Sequence, residues 1–158
     1  MNNKKKLLLG LFGLALLVIA CYFSWVYGFR QGLQVGGLTS SASELMRAND
    51  HMADQFANAK CEGVRQSIND YLKLVEKYSN KDNILFTETD ALGDLMRGNL
   101  RLARIDKHEG NETERLKHLT IAKNACAQRK WADCSEEKLI LFSKRTDQNH
   151  PIACLGND

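Results

Sequence analysis

Proline and the short motifs of known chemistry are scarce in this sequence. One proline and eleven glycines occur in 158 residues, and helix-forming residues are present throughout. That composition disfavours a β-sandwich or a β-barrel, because such folds need many turns that Gly and Pro supply. Low-complexity tracts and a repeat of fixed period are also missing. We therefore predict an all-α chain with a single small domain beyond its apolar N-terminal segment.

An excess of basic charge is missing from most of the chain. The formal net charge of +3 comes from 22 Lys and Arg against 19 Asp and Glu. Three of the basic residues are Lys4, Lys5 and Lys6, so beyond them 19 basic residues balance 19 acidic ones. A neutral domain has no positive surface for a phosphate backbone, so nucleic acid is not an expected partner.

Motifs for metal binding and catalysis are missing as well. The sequence has no Cys-x-x-Cys and no His-x-x-x-His, which argues against a zinc site and a thioredoxin-like centre. It also has no Gly-rich phosphate loop and no Gly-x-Ser-x-Gly. Glu114 lies four residues before His118, and such a pair is usually a surface contact. We predict no enzymatic activity, no metal and no cofactor.

One apolar run dominates the N-terminal part. Residues 7–29 carry no charge, and at about 1.5 Å per residue they can cross a hydrocarbon core of about 30 Å. The preceding lysines favour a cytosolic N-terminus. We predict a cytosolic tail at 1–6, a transmembrane helix at 7–29, an exit linker at 30–40, and a disulfide-linked helical bundle or helical-hairpin domain at 41–158 outside the cytosol.

The leader, Asn-Lys-Lys-Lys before a Leu-rich span, resembles those of bacterial envelope proteins. The resemblance implies a single-pass protein of the bacterial inner membrane with a periplasmic domain. Two alternatives stay open. The residues Val18-Ile19-Ala20-Cys21 resemble a lipobox, in which Cys21 is lipidated, and the segment is also open to plain signal-peptide cleavage. All three alternatives place the domain outside the cytosol.

Three glycines follow the predicted span at four-residue spacing. Gly28, Gly32 and Gly36 would lie on one helix face, where glycine lets two backbones approach closely. One hypothesis is a homodimer through this face. The other is a flexible linker, because the pair Gly36-Gly37 disfavours a continuous helix.

Four capping motifs predict helix starts in the domain. They are Ser41–Glu44, Thr87–Asp90, Asn111–Glu114 and Asp133–Glu136. The first opens one long helix that ends near Tyr78, and the others open shorter helices with apolar residues every three or four positions. Residues 87–128 have the length of a tetratricopeptide-type hairpin, but only one unit is visible and that family's aromatic and proline positions are unmatched, so no membership is predicted.

Four cysteines lie beyond the predicted span, namely Cys61, Cys126, Cys134 and Cys154. An even count in an oxidising compartment predicts two disulfides. Because Cys61 and Cys126 both lie on apolar helix faces, the preferred pairing is Cys61–Cys126 with Cys134–Cys154. The main alternative contains Cys126–Cys134, which are close in sequence.

Trp131 follows Arg129 and Lys130 in a predicted loop between two cysteines. The preferred interpretation is an indole that closes the end of the core beside a disulfide. The alternative is a contact with a partner, since Trp and Arg are enriched in interface hot spots. We expect a non-enzymatic envelope protein whose domain binds another protein, as an accessory subunit or an inhibitor. A membrane-tethered ligand- or peptide-binding module is the alternative.

Overall fold

The computed structural model describes residues 3–58, 60–79 and 86–156. Their helices are α1 (Asn3–Asn58), α2 (Cys61–Tyr78), α3 (Glu88–His108), α4 (Glu112–Gln128), α5 (Glu136–Thr146) and a 3-10 turn (Ala153–Leu155). No strand occurs in these ranges, so the all-α prediction is confirmed. The chain divides into two units, Met1–Ser40 and Ser41–Asp158.

The first unit contains the N-terminal part of α1. Several of its large apolar side chains are exposed, Trp25 and Phe29 among them, and these two rings stack at 5.6 Å between centroids. In the described part of the chain, no helix has both the length and the apolarity of a candidate membrane span. The transmembrane helix predicted at 7–29 is therefore unsupported by these residues, and the side chains of 7–15 lie outside them.

The backbone of residues 30–40, predicted as an exit linker, is helical. The expectation that Gly36-Gly37 would interrupt the helix is wrong. Each glycine weakens a helix by only about 1 kcal/mol relative to alanine. Such a cost does not end a helix whose turns continue on both sides.

In the second unit, the long helix predicted from Ser41 to Tyr78 is two helices. The capping motif at Ser41–Glu44 does not begin a helix, because α1 continues through it. The chain instead leaves helical geometry at Lys60, whose backbone is extended with ψ 157°. Phe56 and Val64, on either side of this break, are buried in the same apolar cluster. Packing both helices into one core outweighs the local preference for a single helix.

Two of the three remaining caps are confirmed. Thr87 and Asp90 form a reciprocal capping box, in which each side chain accepts a hydrogen bond from the other's backbone N–H. Asn111 accepts a hydrogen bond from the Glu114 N–H at 3.4 Å. The cap predicted at Asp133 is wrong, because α5 begins after Ser135. The Asp133 carboxylate instead accepts the Ser135 N–H at 2.8 Å within the preceding loop.

Helix α3 separates two apolar clusters. The first contains buried residues of α1, α2, α3 and the C-terminal tail: Leu45, Met52, Phe56, Val64, Ile68, Tyr71, Val75, Ala91, Leu102, Ile105, Ile152 and Leu155. The second joins α3, α4 and α5: Met96, Leu100, Ala103, Leu119, Ala122, Ala125, Cys126 and Leu139. Because α3 contributes to both, its position sets those of the other helices.

Two disulfides link the domain, Cys61–Cys154 and Cys126–Cys134, with Cα–Cα distances of 5.3 and 5.9 Å. The preferred pairing is wrong, and the alternative Cys126–Cys134 is confirmed. Cys126 lies in the second apolar cluster, whereas Cys61 packs against the first. The tail reaches the first cluster through Ile152 and Leu155, which brings Cys154 to Cys61.

Candidate functional site

The loop after α4 holds the three residues predicted to contact a partner. Its backbone turns through Lys130, which has a positive φ of 58°, a left-handed conformation that non-glycine residues seldom adopt. The Trp131 N–H donates to the Cys126 carbonyl at 3.3 Å, and the Lys130 N–H to the Ala127 carbonyl at 2.9 Å. These bonds form a Schellman motif. The Cys126–Cys134 disulfide closes the same loop and restricts it further.

The indole of Trp131 is held from two sides while 36 % of the residue stays exposed. Its ring meets Phe142 of α5 edge to face, at 5.0 Å between centroids. The Arg129 guanidinium carbon lies 5.3 Å from the indole centroid. Trp131 therefore covers Phe142, as a residue closing the core would, and still presents part of its surface.

Arg129 occupies space left by a glycine of α3. A Cβ added to Gly93 would lie 2.5 Å from Nη1 of Arg129. The Arg129 Nε is buried and has no hydrogen-bond partner among the described residues. The side chain is thus directed inward against α3, and its contribution to the surface is to support the indole. Lys130 is exposed beside it.

His118 is close to a carboxylate, but not to the one expected from its helix. Glu114 pairs with Lys117 at 3.0 Å, and His118 Nδ1 lies 2.7 Å from the fully buried Asp106 of α3. The expected Glu114–His118 contact is wrong. The hairpin turn between α3 and α4 creates the His118–Asp106 pair, which helical spacing within α4 cannot indicate.

Asp106 also accepts a hydrogen bond from Arg65 of α2 at 2.6 Å, and Arg65 reaches Glu109 at 2.5 Å. Burial lowers the pKa of Arg65, but the hydrogen bonds to the two carboxylates outweigh it, so the pKa is raised overall. One carboxylate thus connects side chains from α2, α3 and α4. The arrangement satisfies a buried charge and fixes three helices to one another.

A second buried ion cluster joins α3 to the end of α5. Asp147 accepts hydrogen bonds from Arg101 Nε at 2.8 Å and from Arg104 Nη1 at 2.7 Å. The guanidinium carbon of Arg101 also lies 4.8 Å from the ring centroid of Phe56. Sequence reasoning missed this cluster, because its partners are more than forty residues apart.

A groove of about 410 Å³ adjoins this cluster. Its acidic residues, Asp50 and Asp54, come from α1, and its basic residues, Arg97 and Arg101, come from α3. His150, which follows α5, lines the groove as well. No sequence motif indicated this site, because its residues come from three distant segments.

A second surface pocket, of about 320 Å³, lies between the end of α2 and the start of α3. Val75, Ala91, Leu92 and Leu95 make its lining largely apolar. It borders Ser79, after which residues 80–85 lie outside the described part of the chain. The arrangement suits a small apolar ligand.

The remaining predicted residues are not gathered into one site. Across the described ranges, no group of three His, Cys, Asp or Glu side chains is placed to hold a metal ion. His51 and His108 are exposed on different helices. Gly28, Gly32 and Gly36 each have nothing within 4 Å of an added Cβ, and Cys21 has an exposed free thiol.

Comparison of this chain with protein-family models, with characterised proteins and with solved structures finds no match.

Proposed function

We propose that this chain is a non-enzymatic protein of the bacterial envelope, anchored in the inner membrane, whose periplasmic helical domain binds another protein through the Trp131 loop. The loop is defined here as residues 129–134. The partner is a subunit of a membrane complex or an incoming protein that the domain inhibits. The N-terminus lies in the cytosol in this proposal.

The anchor is supported by the sequence and by the exposed side chains of α1. Residues 7–29 are uncharged and follow three lysines, the pattern of a spanning segment with its N-terminus inside. Tyr22, Trp25 and Phe29 are all more than half exposed, and aromatic side chains of this kind suit a membrane interface. The two disulfides favour an oxidising compartment for the domain.

The binding role depends on one observation, a partly exposed tryptophan fixed in place by its own loop. Trp131 is restrained by Phe142, by Arg129 and by a disulfide in the same turn. A pre-ordered aromatic side chain loses little entropy on binding, which favours affinity. Unfavourable backbone conformations such as that of Lys130 also concentrate at functional sites. These features distinguish Trp131 from the other exposed apolar residues of the domain.

Photo-crosslinking in the native membrane tests this proposal. A benzoyl-phenylalanine placed at 131 should yield one adduct of defined mass, whereas the same group at Met46, which is 68 % exposed on α1, should not. Trp131→Ala should then weaken binding of the identified partner at least about thirtyfold, the range of an interface hot spot. Leu116→Ala, at an exposed apolar residue of α4, is the matched control. Equal crosslinking at 131 and 46, or equal affinity of both variants, would count against the loop.

A second candidate function is the binding of a small ligand by the membrane-tethered domain. The apolar pocket beside Val75 and Leu92 favours it, because its volume of about 320 Å³ falls within the usual range of about 300–1,000 Å³ for ligand sites. A fluorescent apolar probe should bind the wild-type protein. It should not bind the variant Ala91→Trp, because the larger side chain fills the pocket. Unchanged probe binding in that variant would reject this site.

Two alternatives at the N-terminus are separated by simple measurements. If Cys21 is lipidated, the mature chain begins at that residue, and intact mass of protein from its own membrane will show it.

Association through Gly28, Gly32 and Gly36 predicts that Gly32→Leu abolishes a crosslinked dimer. A dimer that survives this substitution excludes the glycine face.

A further inference from the structure

The groove beside α1 and α3 carries opposite charges on different elements. Asp50 belongs to α1, and Arg97 belongs to α3. Met52 and Phe56 line the same groove but are only 2 % and 1 % exposed, so polar and charged side chains supply most of its accessible surface. A ligand that fits must therefore carry both charge signs.

Several of the charged groups can still form a hydrogen bond or an ion pair with a ligand. Asp50 and the His150 side chain have no hydrogen-bond or ion-pair partner within the described part of the chain. Arg97 pairs with Asp94 through Nη2 and keeps 45 % of its side chain exposed, and a guanidinium has five N–H donors. Arg101, by contrast, is held by Asp147 and lies over Phe56. Arg101 therefore shapes the groove, and Arg97, Asp50 and His150 are available to a ligand.

We infer that this groove binds a short peptide with free ends. The peptide ammonium would pair with Asp50, and its carboxylate would pair with Arg97. A simple anion would meet the unpaired Asp50 carboxylate, and a simple cation would meet two arginines. A zwitterion avoids both repulsions. The volume of about 410 Å³ lies in the range of about 300–1,000 Å³ usual for small-ligand sites.

Calorimetric titration of the full chain in nanodiscs tests the inference, with the dipeptide Leu-Leu as the probe. Blocking either end, as in N-acetyl-Leu-Leu or Leu-Leu-amide, should weaken binding about tenfold or more, because each removes a charge-assisted hydrogen bond. Free leucine should also bind more weakly, since it fills less of the groove. This outcome does not depend on the Trp131 loop, so Trp131→Ala should leave Leu-Leu binding unchanged.

Variants of the groove assign the two ends. Asp50→Asn should weaken Leu-Leu binding about tenfold but leave N-acetyl-Leu-Leu unaffected, because the partner of Asp50 is already blocked. Arg97→Gln should likewise weaken Leu-Leu binding about tenfold but leave Leu-Leu-amide binding unaffected, because the group that pairs with Arg97 is already blocked. Asp70→Asn, the same change at an exposed carboxylate of α2, is the control and should bind like wild type. Thermal unfolding of each variant verifies folding.

Three results would overturn the inference. The first is no heat or amide chemical-shift change with Leu-Leu at 10 mM, a concentration chosen to detect affinities as weak as about 10⁻² M. The second is an affinity that does not respond to N-acetylation or to Asp50→Asn. The third is equal affinity for leucine and Leu-Leu, which would exclude a peptide as the ligand.

Discussion

The disulfide between Cys61 and Cys154 connects the start of α2 to the C-terminal tail, across a sequence separation of 93 residues. The other disulfide, Cys126–Cys134, spans only 8 residues. If a disulfide acts mainly by restricting the unfolded chain, the longer loop contributes more stability. Replacing each pair by alanines should therefore destabilise the domain unequally.

The expected magnitudes follow from the loop lengths. Chain-entropy scaling assigns about 4.6 kcal/mol to a loop of 93 residues and about 2.5 kcal/mol to one of 8. Unfolding entropy for the 118 residues of Ser41–Asp158 is about 0.25 kcal/mol/K near 60 °C. The long-loop variant should then lose about 18 °C in Tm and the short-loop variant about 10 °C.

Thermal unfolding of the two double variants, followed by circular dichroism under non-reducing conditions, measures this difference. Alanine is chosen because Cys126 is fully buried, and a serine hydroxyl there would be left without a partner. Loss of the buried Cys126 side chain adds its own destabilisation to the short-loop variant. This effect would reduce the expected difference between the two variants, so it cannot produce the predicted result. Non-reducing peptide mapping of the wild type should first recover Cys61 with Cys154. An equal loss in both variants, or a larger loss in the Cys126–Cys134 pair, would refute the reasoning.

Three further predictions concern single residues. Asp106→Ala should destabilise the domain by about 1.5–3 kcal/mol, because Arg65 keeps only its more exposed partner Glu109 and His118 loses its hydrogen bond; urea unfolding measures this. Burial and the hydrogen bond to Asp94 raise the pKa of Tyr71. The stability that the Tyr71 hydroxyl contributes is therefore fully present below about pH 10 and is lost at higher pH. The stability difference between wild type and Tyr71→Phe should accordingly shrink above pH 10. Lys130→Gly should raise stability by roughly 0.5–1 kcal/mol, because glycine accepts the positive φ.

Each of these has its own control. Asp70→Ala, at an exposed carboxylate of α2, should change stability by less than about 1 kcal/mol. For Tyr71 the control is the same comparison at pH values below about 10, where the stability difference should stay constant. Lys130→Ala should give no gain, and an equal gain from alanine would show that the side chain, not the backbone, opposes stability.

The helical secondary structure could be read from local signals, and where those signals failed, packing was the reason. The box at Thr87–Asp90 forms as predicted because both partners lie within one turn. The motif at Ser41–Glu44 has the same pattern but lies inside α1. A capping motif marks a helix start only where the preceding chain is not already helical. The break at Lys60 carries no such signal and places Phe56 and Val64 in a common core.

The candidate sites divide in the same way. The Trp131 loop was predictable, because its tryptophan, its basic residues and its two cysteines are neighbours in sequence. The charged groove was not, because Asp50, Arg97 and His150 meet only when α1, α3 and the tail pack together. Asp106 and Asp147 likewise find their partners across helices, and no spacing rule links them.

The sequence by itself determined the composition-level and local properties: an all-α chain, a neutral charge beyond Lys6, four cysteines available for two bonds, and the caps at Thr87 and Asn111. Only the tertiary structure decided which cysteines pair and which charges are buried. Caps and helices depend on residues a few positions apart. Disulfides, ion clusters and grooves depend on how the chain closes over long separations, and that closure is set by the burial of apolar side chains on both sides of α3.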